Sequence, residues 1–524
     1  LTFFFNENGA VATQLIKKAV KAAQVREAAR KAREDARSGK TKKKKETTED
    51  FFVAGRSMSM WVVAGTYGAS FLSAGSFLGT IGYNYRFGWA AGWQLIGTLT
   101  CMFLLAVFFA KKFWRFGYYN NACSMPDLIG KRYPSKFGRG FYSIMILCIY
   151  TVGMASMYMG FNAVLGLVSD IPYMAGIIIG AAVVMIYTWT GGARAVAWTD
   201  TICMVLMIFA IIVTLTASLH SSGGFENLVM EYGRSITPEG QTWQEGEALL
   251  SGTNLYLTFG MSMSWFLIWC TGNLCQPHQI TRMYLAKNEK HAIAAVAIVM
   301  IPFAIVYLGG LIIANYARII EPNIANTDTA FPTVVLSIMP DALAAVVLVG
   351  IIAAIISTSS TMLIITSQCT SYDIYKKLLK PDASEKQVLR ISRGTIIVCT
   401  ILSVVIAYFA QNISGLIFLW SSAFAMMGAG ILPSLIGAFY WKRANTPANI
   451  ASMLVGFIST ALMYLFPVLL PSWAQHPILP GLILSFATFV IVALVTRKPT
   501  DEQLEPFFGE DLKDYSKNRK INPV

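Results

Sequence analysis

The sequence predicts an all-α polytopic membrane protein of twelve spans, and three observations predict it. Of its 524 residues, 55% are hydrophobic and 13% charged, with a mean hydropathy of +0.54, more apolar surface than a water-soluble chain of that length needs. Apolar runs recur at the roughly 20-residue length that crosses a bilayer. The loops between them alternate between basic and non-basic along the whole chain, as the positive-inside rule requires.

The opening Leu1-Thr2-Phe3-Phe4-Phe5 is apolar but too short to span, and it leaves room for a thirteenth helix before Leu1. Residues 10–38 are rich in Ala, Lys and Arg and hold no Pro or Gly, which predicts a surface helix ended by Gly39. Residues 17–45 carry thirteen Lys or Arg against Glu27, Glu34 and Asp35, so most of the net charge of +14 is local to this arm. Such a run could bind nucleic acid, but ahead of a membrane domain its fitting partner is the anionic headgroups of the cytoplasmic leaflet.

The predicted spans are 61–83, 91–113, 141–168, 173–191, 197–219, 255–276, 291–317, 341–374, 391–411, 414–440, 449–469 and 477–496. Basic segments fall at 17–45, 111–139, 194, 282–290, 376–393, 442–443 and from 497 onward. Residues 220–254 instead hold Glu226, Glu231, Glu239, Glu245 and Glu247. This alternation puts the basic arm and the C-terminus in the cytoplasm of a plasma-membrane protein.

Spans one to five and six to ten share a layout. Each set opens on a helix interrupted by small and polar residues: Gly65, Gly68, Ser70, Ser73 and Gly75 in the first, Gly260, Ser262, Ser264, Thr271, Gly272 and Asn273 in the sixth. Five is odd, so the second set runs inverted, and broken helices in inverted repeats place ligands near the bilayer midplane. The expected organisation is a cytoplasmic arm and linker (1–50), a first repeat (51–219), an extracellular loop (220–254), a second repeat (255–440), two further helices (441–496) and a cytoplasmic tail (497–524).

Enzyme chemistry has little to stand on. Eight Cys show no CxxC pairing, four His form no HExxH cluster, and no P-loop or GxSxG elbow occurs. The unusual stretch is Ser357-Thr358-Ser359-Ser360-Thr361 inside the eighth apolar run. Steps of three and four put Ala354, Ser357, Thr358 and Thr361 on one face with Ser360 beside them. Hydroxyl oxygens there can hold a dehydrated monovalent cation, or simply back-bond to their own helix and ease packing. Asp200, at the entrance of the fifth span, needs a cation, water or a partner such as Arg194. No Lys or Arg lies at any span centre, so a substrate carboxylate would have to be held by helix ends, hydroxyls and amides.

Five ordered stretches carry a family resemblance. They are Glu49-Asp50-Phe51-Phe52-Val53-Ala54-Gly55-Arg56-Ser57, Gly191-Gly192-Ala193-Arg194-Ala195-Val196-Ala197-Trp198-Thr199-Asp200, Gln276-Pro277-His278 with Arg282, Ala353 to Ser360, and Phe439-Tyr440-Trp441-Lys442-Arg443-Ala444. From about Thr48 to Arg497 the chain resembles the sodium/solute symporter family, whose carriers take up proline, pantothenate, monocarboxylates, sialic acid or glucose. The resemblance implies a leucine-transporter-type fold and sodium-coupled symport of a small organic solute by alternating access. It implies a main sodium site of the Ala69, Leu72 and Ala354 carbonyls with the Ser357 and Thr358 hydroxyls. A second sodium site would use Asp200, Ser360 and Thr361.

For the substrate cavity it nominates Ser70, Phe71 and Ser73 on the first span, Met157 and Asn162 on the third, Trp265, Trp269 and Asn273 on the sixth, and Trp420 and Ser421 on the tenth. Proline carriers have an Asp where this chain has Phe71, and sialic acid carriers use an Arg in the third helix, where residues 145–166 hold no Arg or Lys. A monocarboxylate or pantothenate-like acid fits better. The alternatives are a proton-coupled carrier using Asp200 and a transporter-like membrane sensor, although the tail after Arg497 holds no catalytic module.

Overall fold

A computed structural model of the chain describes residues 48–169, 171–235, 259–410, 416–471 and 473–508. The basic arm, most of the acidic loop and the end of the tail lie outside the described residues. Among those described, every regular element is helical, apart from one isolated parallel bridge between Met58 and Ala286.

Among the described residues, ten helices are individually long and apolar enough to cross a membrane: Trp93–Tyr119, Lys136–Val168, Tyr173–Thr190, Gly192–Ser221, Glu289–Ile320, Asp341–Leu379, Glu385–Phe409, Trp420–Tyr440, Thr446–Leu465 and Ile478–Val495. The first and sixth predicted spans complete the twelve as broken helices. The first runs Met60–Phe71, breaks, and resumes through Gly75–Gly79 and Thr80–Phe87. The sixth runs Phe259–Leu267 and Ile268–Gly272, breaks near Gln276, and resumes as Pro277–Leu285. The Met58–Ala286 bridge ties the start of one broken span to the end of the other, through Met58 N–H to Leu285 O and Lys287 N–H to Met58 O, each 3.0 Å.

Local sequence explains where the helices start. Ser59, Ser124, Ser135, Asn288 and Asn445 each accept a backbone N–H as N-caps, and Ser384 forms a capping box with Gln387. Spans four and five would be one rod but for Gly192, whose φ of 60° and ψ of −178° an L side chain rarely adopts.

The fifth span shows how burial is organised. Asp200, Met204, Met207, Ile211, Thr214 and Ser218, spaced by three and four, form its buried stripe. Ile202, Val205, Phe209 and Ile212 form an exposed apolar stripe opposite, the face a bilayer would solvate. Asp200 thus lies on the inward face, and Gly350 of the eighth span packs on Leu206 and Ala210 of the same helix.

Two expectations change. The eighth span continues as a π-type turn to Leu379, beyond the predicted end at 374, and carries a buried acid, Asp373. That carboxylate accepts from Ser124 Oγ at 2.9 Å and from Arg139 at 3.4 Å, and Arg139 also bonds Asp127 at 2.9 Å. In addition, Arg282 is buried at the break of the sixth span, so a guanidinium does stand in the interior.

Candidate ion and substrate site

The site begins at the break in the first helix. Leu72 takes φ −72° and ψ 100°, an extended conformation that stops the helix and turns its last carbonyls out of the ladder. The eighth span answers with its hydroxyls. Ser357 Oγ donates to Ala69 O at 2.9 Å and to Ala354 O at 3.0 Å. Thr358 Oγ1 donates to Ala69 O at 3.2 Å and Leu72 O at 3.4 Å. All five groups are buried. Ser359 and Ser360 do what the simpler reading expects and back-bond to Ile355 O and Ser357 O.

The donor set fits a hard cation: three carbonyls and two hydroxyls, all oxygen, with no thiol or imidazole among them. Oxygens held at about 2.3–2.6 Å from such an ion stand roughly 3.3–3.7 Å apart. The spacings of 2.9–3.4 Å seen here need to open by only a few tenths of an ångström. Two hydroxyl protons would rotate outward.

Asp200 has a different neighbour from the one expected. Arg194 donates to Ser57 Oγ at 3.1 Å, while Asp200 Oδ2 accepts from Thr66 Oγ1 at 2.6 Å and from Arg282 at 3.3 Å. Arg282 also donates to Thr361 Oγ1. Four elements therefore meet there: the first span, the fifth, the resumed half of the sixth and the eighth. Asp200 Oδ1 is buried without a partner. In this conformation the guanidinium lies between Asp200 and Thr361, and the Ser360 hydroxyl is turned to its own helix.

The residues nominated for substrate separate into two groups. Phe71, Trp269 and Trp420 converge on Phe424, with ring centroids 6.4, 5.0 and 4.9 Å away. Trp265 stacks on Tyr83 at 4.4 Å and meets Trp269 edge-on. Ser73 lies beside Trp420 near Gly75, and Asn273 Nδ2 donates to Trp269 O at 2.5 Å. Met157 and Ser421 are buried, Met157 one turn beyond Gly153, which abuts Trp420. Two nominated residues stand apart from this cluster. Ser70 spends its hydroxyl proton on Tyr67 O at 3.0 Å, within its own helix. Asn162 packs on Gly176 of the fourth span and not at the break.

Sequence reasoning missed Phe424 and Thr66. Each sits about one turn from a nominated residue, Trp420 and Ala69, on the same helical face.

Two broken spans, the first of which turns carbonyls toward a helix bearing hydroxyls, are the build of an ion-coupled secondary transporter. The comparisons with known proteins agree. The profile of the sodium:solute symporter family matches residues 51–456, and the chain belongs to that family. Sodium/pantothenate symporters of Haemophilus influenzae and Escherichia coli are 29% and 28% identical over 446 residues, covering 84% of this chain and 89% of each relative. The sodium/proline symporter of Escherichia coli is 27% identical over 481 residues, covering 89% of this chain and 92% of the relative.

Among solved structures, a Na+-coupled sialic acid symporter in a substrate-bound outward-open state gives a TM-score of 0.74 at 20% identity, covering 87% of this chain and 94% of that one. A closed nucleobase-cation-symport-1 family transporter gives 0.50 at 12% identity, covering 87% and 97%. At these identities the likeness is one of fold, the leucine-transporter type with two inverted five-helix repeats and two C-terminal helices. The chain is a multi-pass membrane transporter, not an enzyme, and works by sodium-coupled symport of a small solute.

Proposed function

We propose that this protein imports a small monocarboxylate or pantothenate-like acid into the cell together with sodium, with its C-terminus and basic arm in the cytoplasm. The observation that carries the ion reading is the set of five oxygens from Ala69, Leu72, Ala354, Ser357 and Thr358 across the broken first helix and the eighth. Sodium bound among them ties the two helices together and fixes the break against which substrate sits. Coupling is the mutual gain in affinity of ion and solute. The inward sodium gradient drives import, including roughly 2.3 kcal/mol per charge for each 100 mV of potential.

The substrate reading rests on unspent donors. Ser73 Oγ, Trp265 Nε1 and Trp269 Nε1 are buried without partners, and buried donors are normally satisfied. Ser73 stands at the positive end of the resumed first helix, a setting that favours a carboxylate. The aromatic wall of Phe71, Trp269, Trp420 and Phe424 suits an apolar remainder. Two sodium/pantothenate symporters among the relatives support the same class.

The test is thermal stability of the purified protein in sodium against choline, with Ser357→Ala alongside. Uptake of pantothenate, short monocarboxylates and proline in sodium follows. A sodium-specific rise, lost in the variant, supports the site. Uptake of proline but no acid would sink the substrate assignment.

A second sodium ion at Asp200, Ser360 and Thr361 has one observation in its favour, the unpartnered Oδ1 of Asp200. It requires Arg282 to swing away. A Hill coefficient near one for sodium activation would argue for a single ion. If uptake instead persists in choline and follows the pH gradient, Asp200 serves a proton-coupled carrier.

A further inference from the structure

We propose that the second span carries, at its cytoplasmic end, a binding site for one anionic phospholipid. Its phosphate would lie between Lys111 and Lys112, and an acyl chain would run along Phe103, Val107 and Phe108. A cavity of about 390 Å³ opens there, walled by Lys111, Lys112 and Arg115 on one side and by Phe439, Phe507 and Phe508 on the other. The far wall is the short helix Asp501–Phe508, which buries Pro506 and Phe507 and leaves Asp501, Glu502 and Glu505 exposed. The cations are only partly committed. Arg115 is paired with Glu289 at 2.6 Å. Lys112 donates to Phe439 O at 3.2 Å and sits 4.2 Å from the Tyr440 ring centre. Lys111 is exposed and has no partner among the described residues.

What identifies a lipid is the continuation of the site into the bilayer. Phe103, Val107, Phe108 and Lys111 are all exposed along this stretch, with Lys112 beside them half-buried. Phe103, Val107 and Phe108 are 54%, 57% and 45% exposed. From the lysines the stripe runs through the π-turn Leu105–Phe109 toward the membrane centre. An apolar stripe leading into a basic, aromatic-walled pocket at the cytoplasmic boundary matches a two-part ligand of phosphate and hydrocarbon. The rival occupant is the chain's own Glu510 and Asp511, which follow Phe508 closely. An acidic peptide would use the cations but has no use for the exposed Phe103–Phe108 face.

The full chain, a Lys111→Ala/Lys112→Ala variant and a chain ended at Phe508 would be placed in phosphatidylcholine nanodiscs with graded phosphatidylglycerol. Native mass spectrometry would count the phosphatidylglycerol retained. The double variant should bind it on the order of thirty-fold more weakly, from two lysines lost at the membrane surface, while melting normally in phosphatidylcholine alone. If the double variant melts early, Lys111→Gln at the exposed lysine decides instead, with about a fivefold loss expected. Equal retention by wild type and variant would overturn the proposal. Lipid binding that appears only in the shortened chain would assign the pocket to the tail, and equal stabilisation by inorganic phosphate would assign it to a free anion.

Discussion

Ser357 on the eighth span donates a 2.9 Å hydrogen bond to the carbonyl of Ala69 on the first, across 288 residues of sequence. The acceptor is free only because the helix stops at Leu72, and the donor is one of two hydroxyls in the run of five that leave their own helix for the first span. Removing this hydroxyl should hurt ion binding more than folding. Thr358 still reaches Ala69 O at 3.2 Å, so the fold loses about 1 kcal/mol, the net worth of a neutral hydrogen bond. A contact to a charge is worth about 1.5–3 kcal/mol, so Ser357→Ala should weaken sodium affinity roughly tenfold to a hundredfold. Melting curves and uptake, both titrated with sodium at constant ionic strength, measure the two losses separately. Unchanged half-saturation in the variant would exclude the site.

Asp200 and Arg282 form a buried ion pair, and each is worse off alone. Asp200→Asn strands the guanidinium with Thr361 as its remaining partner, and breaking such a pair from one side costs about 3–5 kcal/mol. Arg282→Gln strands the carboxylate with Thr66. The double variant should recover much of either loss, and a double-mutant cycle on melting free energies reads the coupling. Additive losses would mean that the two charges do not sense each other.

These two sites differ in how far the sequence revealed them. The Ser357–Thr361 run stood out because hydroxyls are conspicuous among apolar neighbours, and helical spacing alone selected the face that meets the first span. The broken helices were legible from Gly and Ser in corresponding places, Gly65 to Gly75 and Gly260 to Asn273. The partner of Asp200 was not. Arg194 is six residues away along the chain, but Gly192 reverses the chain there and sends its side chain to Ser57. Arg282 reaches Asp200 only because the sixth span breaks and resumes against the first. Phe424 was hidden for a plainer reason: nothing in a membrane helix marks an aromatic that lines a cavity from one that faces lipid.

The first and fifth spans touch so closely at Gly65 that an added Cβ would stand 2.5 Å from Thr201 Oγ1 and 2.7 Å from Thr201 Cα. Because a backbone atom is in the way, no rotamer change relieves the clash. Gly65→Ala should separate the two helices, stretch the Thr66–Asp200 bond of 2.6 Å and cost about 1–3 kcal/mol by overpacking. The variant should also need more sodium for half-maximal uptake. A melting temperature and sodium dependence both equal to wild type would show that the contact can relax.

His476 precedes the twelfth span, and its Nδ1 accepts the N–H of Ile478 at 3.3 Å. That leaves the proton on Nε2, which meets the Tyr464 hydroxyl at 2.9 Å. Burial lowers the imidazole pKa from 6.5 to about 3, because a charged ring there would lose its water. The folded protein therefore keeps the ring neutral while the unfolded chain takes up a proton below pH 6.5. Stability must then fall as the pH drops from 6.5 toward 3, by about 1.4 kcal/mol per unit for this residue, or roughly 2 kcal/mol at pH 5. His476→Gln should be less stable at pH 7.5, having lost the acceptor for Ile478, yet flatter with pH. Subtracting the variant's pH profile of unfolding free energy from that of wild type isolates the ring from other titrating groups. A difference that stays constant between pH 7.5 and 5 would mean that His476 takes up its proton in the fold as readily as in the unfolded chain, and that its Nδ1 does not cap the helix.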